Sequence, residues 1–187
     1  MTGDFKSQID DHLRTIETLC HHVTLLETMA DRIIDAIRAG GRVYVFGNGG
    51  SAADAQHIAA ELLGRFKRER RALPAIALTT DSSALTAIGN DLGGEEIFRR
   101  QVEGLVTGND VVWALSVSGK SPNVLCALDT AKAKGATVIG FTSRRGKPMA
   151  ERCALCLTVD AESSDRVQEA HELAYHLVCD RVERAFA

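Results

Sequence analysis

Short apolar runs alternate with helical segments along most of this chain, and the alternation restricts the folds that it can adopt. Four of these runs are rich in β-branched or apolar residues, and a fifth is weaker. The runs are residues 43–46, 75–78, 111–115, 137–141 and 155–159. Strands that are apolar throughout, each followed by a helix, are typical of a parallel sheet covered on both faces. We therefore predict an α/β fold, a doubly wound parallel sheet of about five strands.

A long helical pattern precedes the first predicted strand. Apolar side chains recur every three or four positions from Ile9 to Ile37, which indicates an amphipathic helix or a pair of helices, and Gly40 ends the pattern. An apolar stripe this long finds too little sheet to pack against within one chain. We therefore predict that residues 1–40 pack partly against another subunit. The length and the lack of a linker predict one domain over residues 1–187.

Charge is spread along the chain apart from one basic run. The formal net charge is -3, and residues 65–71 read Arg-Phe-Lys-Arg-Glu-Arg-Arg. A run this short is typical of a solvated loop, although it could also attract an anionic substrate or a partner subunit. Nucleic acid is not expected as a ligand.

The sequence shows neither the pattern of a signal peptide nor that of a membrane span, and this predicts the cellular compartment. The N-terminal region is polar, and no run of roughly 18 apolar residues occurs, so we expect a cytoplasmic protein without a membrane partner. The cysteines are then expected to be free thiols. Cys153 and Cys156 form a C-x-x-C, but they lie in an apolar run, which favours core packing over a zinc or redox site.

A glycine-rich turn joins the first predicted strand to a helix. Residues 47–51 read Gly-Asn-Gly-Gly-Ser. Glycines let the backbone approach an anion, and the helix start offers unpaired N–H groups. The spacing is not that of a dinucleotide fingerprint, and no Gly-Lys-Ser or Gly-Lys-Thr follows, so dinucleotide and ATP binding are disfavoured. A turn that binds no ligand is the alternative.

A serine-rich turn follows the third predicted strand. Ser116, Ser118 and Ser121 precede Pro122, which suits the first turn of the next helix. Because parallel strands end at the same edge of a sheet, we predict that both turns form one site for a phosphate monoester. A turn with a single capping serine is the alternative.

Two helical segments carry polar residues at a spacing of four. His57 and Glu61 share one face of the helix after the glycine-rich turn. Gln168, Glu172 and His176 recur on the final helix and could point together at a site. A surface pair and a solvent-facing stripe are the alternatives.

Together these motifs resemble a known family. GNGGSAADAQHIAAEL at 47–62 and SVSGKSPNV at 116–124 resemble the SIS (sugar isomerase) domain, and residues 88–91 and 163–176 narrow the resemblance to the phosphoheptose isomerases. The resemblance implies a five-stranded flavodoxin-like fold and a homotetramer with active sites between subunits. It also implies conversion of sedoheptulose 7-phosphate to D-glycero-D-heptose 7-phosphate, for heptose in bacterial surface polysaccharide.

The resemblance also implies which residues contact the sugar phosphate. The phosphate would be held by Ser51, Ser116, Ser118 and Ser121, and the sugar would be lined by Asn48, Gly49, Gly50, Asn90 and Asp91. Glu61 and Gln168 would contact the substrate too, and Asp165 could orient a hydroxyl or His171. Family members often carry threonine where Val117 stands, so one hydroxyl contact is lost there while the backbone N–H persists.

Acid-base and metal roles come from the same resemblance. His57, Glu61, Gln168 and His176 match positions around a metal, and this nitrogen and oxygen set is acceptable to zinc, one ion per subunit. Glu61 matches the base and His176 the acid, but a bound cation would suppress the basicity of Glu61. The sequence leaves open which role each residue has. Glu172 matches no family position and is predicted to face solvent or an interface.

Two rival functions use the same turns. A non-catalytic SIS module would bind a phosphosugar, or a protein, as does the relative that associates with the replication initiator DnaA, which residues 77–91 also resemble. An isomerase for another phosphosugar is the second rival. The presence of Glu61 together with His176 favours the enzyme.

Overall fold

The computed structural model describes residues 4–187, and its centre is a sheet in which every neighbouring pair of strands is parallel. The strands are β1 (Val43–Gly47), β2 (Ala75–Ala77), β3 (Val111–Leu115), β4 (Thr137–Ser143) and β5 (Leu155–Val159). Their order across the sheet is β2-β1-β3-β4-β5. The predicted doubly wound five-stranded parallel sheet is confirmed, and each predicted run forms a strand.

Helices cover both faces of the sheet. They are α1 (Phe5–Glu17), α2 (Val23–Arg38), α3 (Gly50–Leu63), α4 (Ser82–Asp91), α5 (Glu96–Leu105), α6 (Pro122–Ala133), α7 (Lys147–Ala150) and α8 (Ser164–Arg184). Trp113 of β3 lies in the core with α2, α3 and α8, whereas its neighbour Val112 lies in the core with α5 and α6. Successive strand residues point to opposite faces, so a sheet covered twice needs strands that are apolar throughout.

The N-terminal pattern forms two helices joined by a 3-10 turn at Thr18–His22. α2 belongs to the core, and Gly40, at a φ of 83°, follows its end. α1 differs, since Phe5, Ile9 and Leu13 lie four residues apart and are 85%, 58% and 59% exposed. These side chains form an exposed apolar stripe that could make the predicted contact of residues 1–40 with another subunit. Residues 1–3 lie outside the described range.

The basic run 65–71 is held by a buried carboxylate. The side chains of Glu183 and Arg70 are completely buried and lie 3.6 Å apart. Glu183 accepts hydrogen bonds from the backbone N–H groups of residues 66–68 at 2.8 to 3.0 Å. Arg70 donates to the carbonyl oxygen of Glu61 near the end of α3 at 2.6 Å. The prediction of a solvated loop is wrong at Arg70, because these hydrogen bonds draw it into the protein.

The five cysteines are free thiols. Cys153 and Cys156 are partly buried, and their sulfur atoms lie where a side chain on Gly140 of β4 would stand. This position agrees with the predicted packing role of the pair. Within residues 4–187, no helix has the length and apolar character needed to cross a bilayer.

A histidine of α8 is completely buried against β4. The Nε2 atom of His171 lies 3.2 Å from the carbonyl oxygen of Thr142, which can only accept, so Nε2 carries the proton. Burial lowers the pKa of His171 to about 4. A neutral imidazole therefore joins α8 to the carboxyl end of β4.

We predict that protonation of His171 opposes folding in mild acid. The pKa falls from 6.5 to about 4 on folding, so the unfolded chain binds more protons between these values. Stability is then lost as the pH falls through this window. In His171→Gln, an amide can still donate to Thr142 without titrating. Urea unfolding at pH 7.5 and pH 5 should show wild type losing about 2 kcal/mol more than the variant. Parallel losses in both proteins would contradict this prediction.

Candidate active site

The two predicted phosphate turns lie side by side at the carboxyl edge of the sheet. β1 and β3 are neighbours, and their register pairs Gly47 with Leu115, so the turns after them start at the same level. The strand order also reverses between β1 and β3, because β2 lies on one side and β4 on the other. Ligands of doubly wound sheets bind at this switch point.

A cavity of about 570 Å³ opens between these turns, a size that suits a small organic ligand. The predicted residues that line it are Asn48, Gly50, Ser51, Ser116, Val117, Ser118, Ser121 and Gln168. The lining residues that sequence reasoning missed are Lys120, Ser143, Arg145, Glu162, Ser164 and Val167. Most of the missed residues follow β4 and β5, whose carboxyl ends share the same edge.

Both turns leave a helix start available to an anion. The residues before α3 and α6 are Gly49 and Ser121, and no side-chain hydrogen bond caps either helix. Gly49 has a φ of 57° and Gly119 a φ of 61°, a region that glycine adopts readily. The hydroxyl of Ser116 accepts from the N–H of Gly119 at 3.2 Å and lies 3.4 Å from the hydroxyl of Ser121. The serines are therefore positioned by the turn itself.

Hydrogen bonds tie the two turns to their surroundings. The amides of Asn48 and Asn123 exchange two hydrogen bonds of 2.9 Å, which join the first turn to the start of α6. Val117 packs its side chain partly against the core, and its carbonyl oxygen accepts from the N–H of Ser143 at 3.2 Å. The valine that replaces the common threonine thus contributes apolar contact and backbone groups.

Charged side chains flank the cavity. Lys120 and Arg145 are exposed, and Arg145 pairs with the carboxylate of Glu162. Lys120 adds positive charge beside a helix-start anion site, which favours a phosphate over a neutral ligand.

A second polar group lies where α3 packs against α8. The Nε2 atom of His57 lies 3.0 Å from a carboxylate oxygen of Glu61, and Nδ1 lies 2.9 Å from the hydroxyl of Tyr175. The ring centroid of His176 lies 5.0 Å from that of His57. One histidine therefore stands between the predicted base and the predicted acid, within a single chain.

The tautomer of His57 follows from these partners. The carboxylate of Glu61 can only accept, so Nε2 carries the proton and Nδ1 accepts from Tyr175. Burial raises the pKa of Tyr175, so its hydroxyl stays protonated. Sequence reasoning missed Tyr175, because a tyrosine on a helix has no spacing that distinguishes it from a core residue.

His176 is enclosed on one side by an aromatic ring. Phe66 stacks on it with centroids 5.3 Å apart and planes 6° from parallel. Burial, followed by the nearby ring of His57, lowers the pKa of His176. Phe66 belongs to the loop that Glu183 holds, which connects the buried carboxylate to this ring.

The donor atoms of this region can hold a cation. One ligand atom each from His57, Glu172 and His176 lie within 4.8 Å of one another. Two imidazole nitrogens and a carboxylate oxygen suit zinc. Glu172 is exposed, as predicted, yet its carboxylate belongs to this compact group. Glu61 adjoins the group through His57.

A buried aspartate links the two parts of the site. Asp54 of α3 is 7% exposed, and one of its oxygens accepts from the amide of Gln168 at 3.4 Å. Its other oxygen has no hydrogen-bond partner within residues 4–187. Burial raises the pKa of Asp54 to about 6. Sequence reasoning missed Asp54, although it stands three residues before His57 on the same helix face.

Some predicted residues lie away from this cavity. Asn90 and Asp91 are exposed at the end of α4, and the amide of Asn90 donates to Asp91 at 2.8 Å. Asp165 is exposed at the start of α8 and pairs with its helix neighbours. The prediction that Asp165 orients His171 is wrong, because that buried imidazole binds Thr142 instead.

Comparison with known proteins places the chain in a family. A family model for the SIS domain matches residues 4–143. A phosphoheptose isomerase from Pelobacter propionicus is 47% identical over 99% of this chain and 98% of its own length. This chain belongs to the phosphoheptose isomerase family of SIS domain proteins.

Solved structures of this phosphoheptose isomerase family share the fold. The phosphoheptose isomerase GmhA from Neisseria gonorrhoeae is 36% identical, with a TM-score of 0.89 and 96% of each chain covered. A phosphoheptose isomerase from Francisella tularensis is 33% identical, with a TM-score of 0.88, over 96% of this chain and 94% of its own.

We predict that Gly50→Ala damages the site more than the fold. A Cβ at Gly50 would stand 2.5 Å from the amide nitrogen of Gln168, which is the far end of a flexible side chain. The amide can move aside, so we expect the free energy of unfolding to change by less than about 1 kcal/mol. Displacement of Gln168 should lower kcat/KM by about 10- to 100-fold.

Gly94→Ala is the matched control, because a Cβ there meets nothing within 4 Å. Urea unfolding and isomerase kinetics on both variants check the prediction. Full turnover in Gly50→Ala would show that the position of Gln168 does not matter to the reaction.

Proposed function

We propose that this protein is a phosphoheptose isomerase that interconverts sedoheptulose 7-phosphate and D-glycero-D-heptose 7-phosphate through an enediol. The observation that carries the proposal is the contact of His57 with Glu61 and His176, beside a cavity built from two phosphate-type turns. The names of its relatives support the same reaction.

The cavity binds the phosphate end of the substrate. Ser51, Ser116, Ser118 and Ser121 donate hydroxyl hydrogen bonds, and the starts of α3 and α6 add backbone N–H groups. Arg145 and Lys120 supply the positive charge that retains a dianion. This end of the substrate takes no part in the chemistry, so its binding orients the carbonyl carbon.

Proton transfer occurs at the other end. Glu61 removes a proton from C1 of the ketose, and the electrons of that C–H bond form the C1–C2 double bond of the enediol. His176 donates a proton to the former carbonyl oxygen on C2. Glu61 then returns its proton to C2 while His176 accepts the proton of the C1 hydroxyl, which leaves the aldose.

We propose one zinc ion per subunit, held by the family set of His57, Glu61, Gln168 and His176. The two histidines belong to the group of donors that fits such a cation. When bound, zinc would supply positive charge that polarises the carbonyl and stabilises the negative charge on the enediol oxygens.

We also propose the assembly and setting that the family implies. The chain acts as a single SIS domain over residues 1–187, in a cytoplasmic homotetramer whose product serves heptose synthesis for bacterial surface polysaccharide. The exposed apolar stripe of α1 supports contact with another subunit. Asn90 and Asp91 would then reach an active site across the interface. Neither nucleic acid nor a membrane is a proposed partner.

Glu61→Gln should abolish isomerisation while leaving the fold and phosphate binding intact. The substitution removes the base without a change in volume, so we expect kcat to fall by about 1,000-fold or more. Steady-state kinetics and a sugar phosphate titration separate turnover from binding.

Glu69→Gln is the matched control, because this glutamate pairs with Arg65 on an exposed part of the nearby loop. Normal kcat in Glu61→Gln, with normal kcat in the control, would rule out Glu61 as the base.

Substrate choice can be tested directly by NMR. Purified protein incubated with sedoheptulose 7-phosphate should show aldose-ketose exchange, and arabinose 5-phosphate should show none. A chelator should slow the heptose reaction, since the proposed zinc would be withdrawn. Exchange of the pentose alone would favour the isomerase of another phosphosugar, and no exchange with either would favour the non-catalytic module.

A further inference from the structure

A buried carboxylate of α8 anchors the loop that covers His176. Glu183 lies near the end of α8, and Phe66 belongs to the loop of residues 65–71, which follows α3. We propose that this loop fixes the imidazole of His176 through Phe66, which makes Glu183 a positioning residue for the isomerisation. The inference rests on the proposed function, because it takes His176 to belong to the reacting end of the site.

The ring of His176 depends on packing for its orientation. Within residues 4–187, no hydrogen bond reaches this imidazole, and three rings pack on it. His57 and Tyr175 meet it edge-on, at 78° and 64°. Of the three rings, only Phe66 stacks on its face, with planes 6° from parallel. Without Phe66, one face of the imidazole would lose its packing, so that other rotamers would become accessible.

The helix that carries His176 also carries the anchors of the loop. His176, Asp180 and Glu183 follow one another at steps of four and three, so they share one face of α8. Asp180 accepts from the guanidinium of Arg68 at 2.8 Å and lies 3.8 Å from the ammonium of Lys67. The loop is therefore attached to α8 within two turns of the imidazole that it covers.

Glu183 is the stronger of the two anchors. Its side chain is completely buried, and its two oxygens accept from three successive backbone N–H groups, those of residues 66–68. One of these groups is the N–H of Phe66 itself. Because a buried carboxylate without such partners is costly, the loop backbone is strongly held in this one position.

The same carboxylate is connected to the helix that carries Glu61. The buried side chain of Arg70 lies 3.6 Å from Glu183. It donates to the carbonyl oxygen of Glu61 at 2.6 Å and to that of Gly64 at 2.9 Å, at the end of α3. A guanidinium can make these contacts together, because it has several donors in one plane. Glu183 and Arg70 therefore hold the backbone of Glu61 and the ring of His176 in one arrangement.

Kinetics separate positioning from stability. Zinc-loaded wild type, Glu183→Gln and Phe66→Leu are compared at a temperature at which circular dichroism shows each protein to be folded. We expect kcat for sedoheptulose 7-phosphate to fall about 10-fold in both variants, and KM to change by less than about twofold, because the phosphate turns are untouched. Phe66→Leu leaves the anchor intact, so it decides the question alone if Glu183→Gln does not fold.

Asp110→Asn is the matched control. Asp110 is also a buried carboxylate that holds a loop, since it accepts from the N–H groups of Arg42 and Thr107 at 2.7 Å. These three residues lie outside the cavity lining and outside the histidine group. We expect Asp110→Asn to lower the free energy of unfolding, as Glu183→Gln does, yet to keep kcat within about twofold of wild type.

The position of His176 can be measured without turnover. In NMR spectra of protein with isotope-labelled histidine, Phe66→Leu should shift the ring resonances of His176, because the stacked ring no longer contributes its ring current. Glu183→Gln should shift the same resonances in the same direction, and Asp110→Asn should leave them in place.

Three results would each overturn the inference. They are unchanged kcat in Phe66→Leu, unchanged His176 resonances in Glu183→Gln, and an equal fall of kcat in Asp110→Asn. A protein that isomerises sedoheptulose 7-phosphate but gives one of these results loses only this inference. If no isomerisation is seen, the proposed function fails, and the histidine resonances still decide whether the loop positions His176.

Discussion

The parallel pairing of β1 with β3 is the constraint on which the site depends. These strands are adjacent in the sheet, although α3, β2, α4 and α5 separate them along the chain. Their register brings Gly47 level with Leu115, so two turns and two helix starts converge on one cavity. A helix start attracts an anion only weakly by itself, and convergence of two such starts with several hydroxyls strengthens the attraction.

Packing of α3 against α8 adds the reactive groups. Small buried residues of both helices, Ala59 of α3 and Ala170 and Ala174 of α8, belong to the same core cluster. The polar side chains at the edge of this contact then meet across it, His57 with Tyr175 and Asp54 with Gln168. Gln168 also lines the cavity, so the phosphate end and the proton-transfer end of the site share one side chain.

Buried charge stabilises the surroundings of this site. Glu183 is completely buried, and three backbone N–H groups compensate for its lost hydration. The loop that it fixes carries Phe66 to the face of His176. Burial raises the pKa of both carboxylates, but at Glu183 the backbone hydrogen bonds outweigh burial and the pKa is lowered. Asp54 lacks comparable partners, so burial raises its pKa to about 6.

The sequence by itself determined the sheet, the two turns and the four-residue spacing of the polar side chains, because these depend on local periodicity and on glycine and serine at strand ends. It could not detect Asp54, Tyr175 or Arg145. Which faces of α3 and α8 meet is set by packing between residues more than 100 positions apart, such as His57 and Tyr175. Only the tertiary structure decided that His57 of α3 meets Tyr175 and His176 of α8, because helix periodicity fixes the face of a side chain but not its neighbour on another helix.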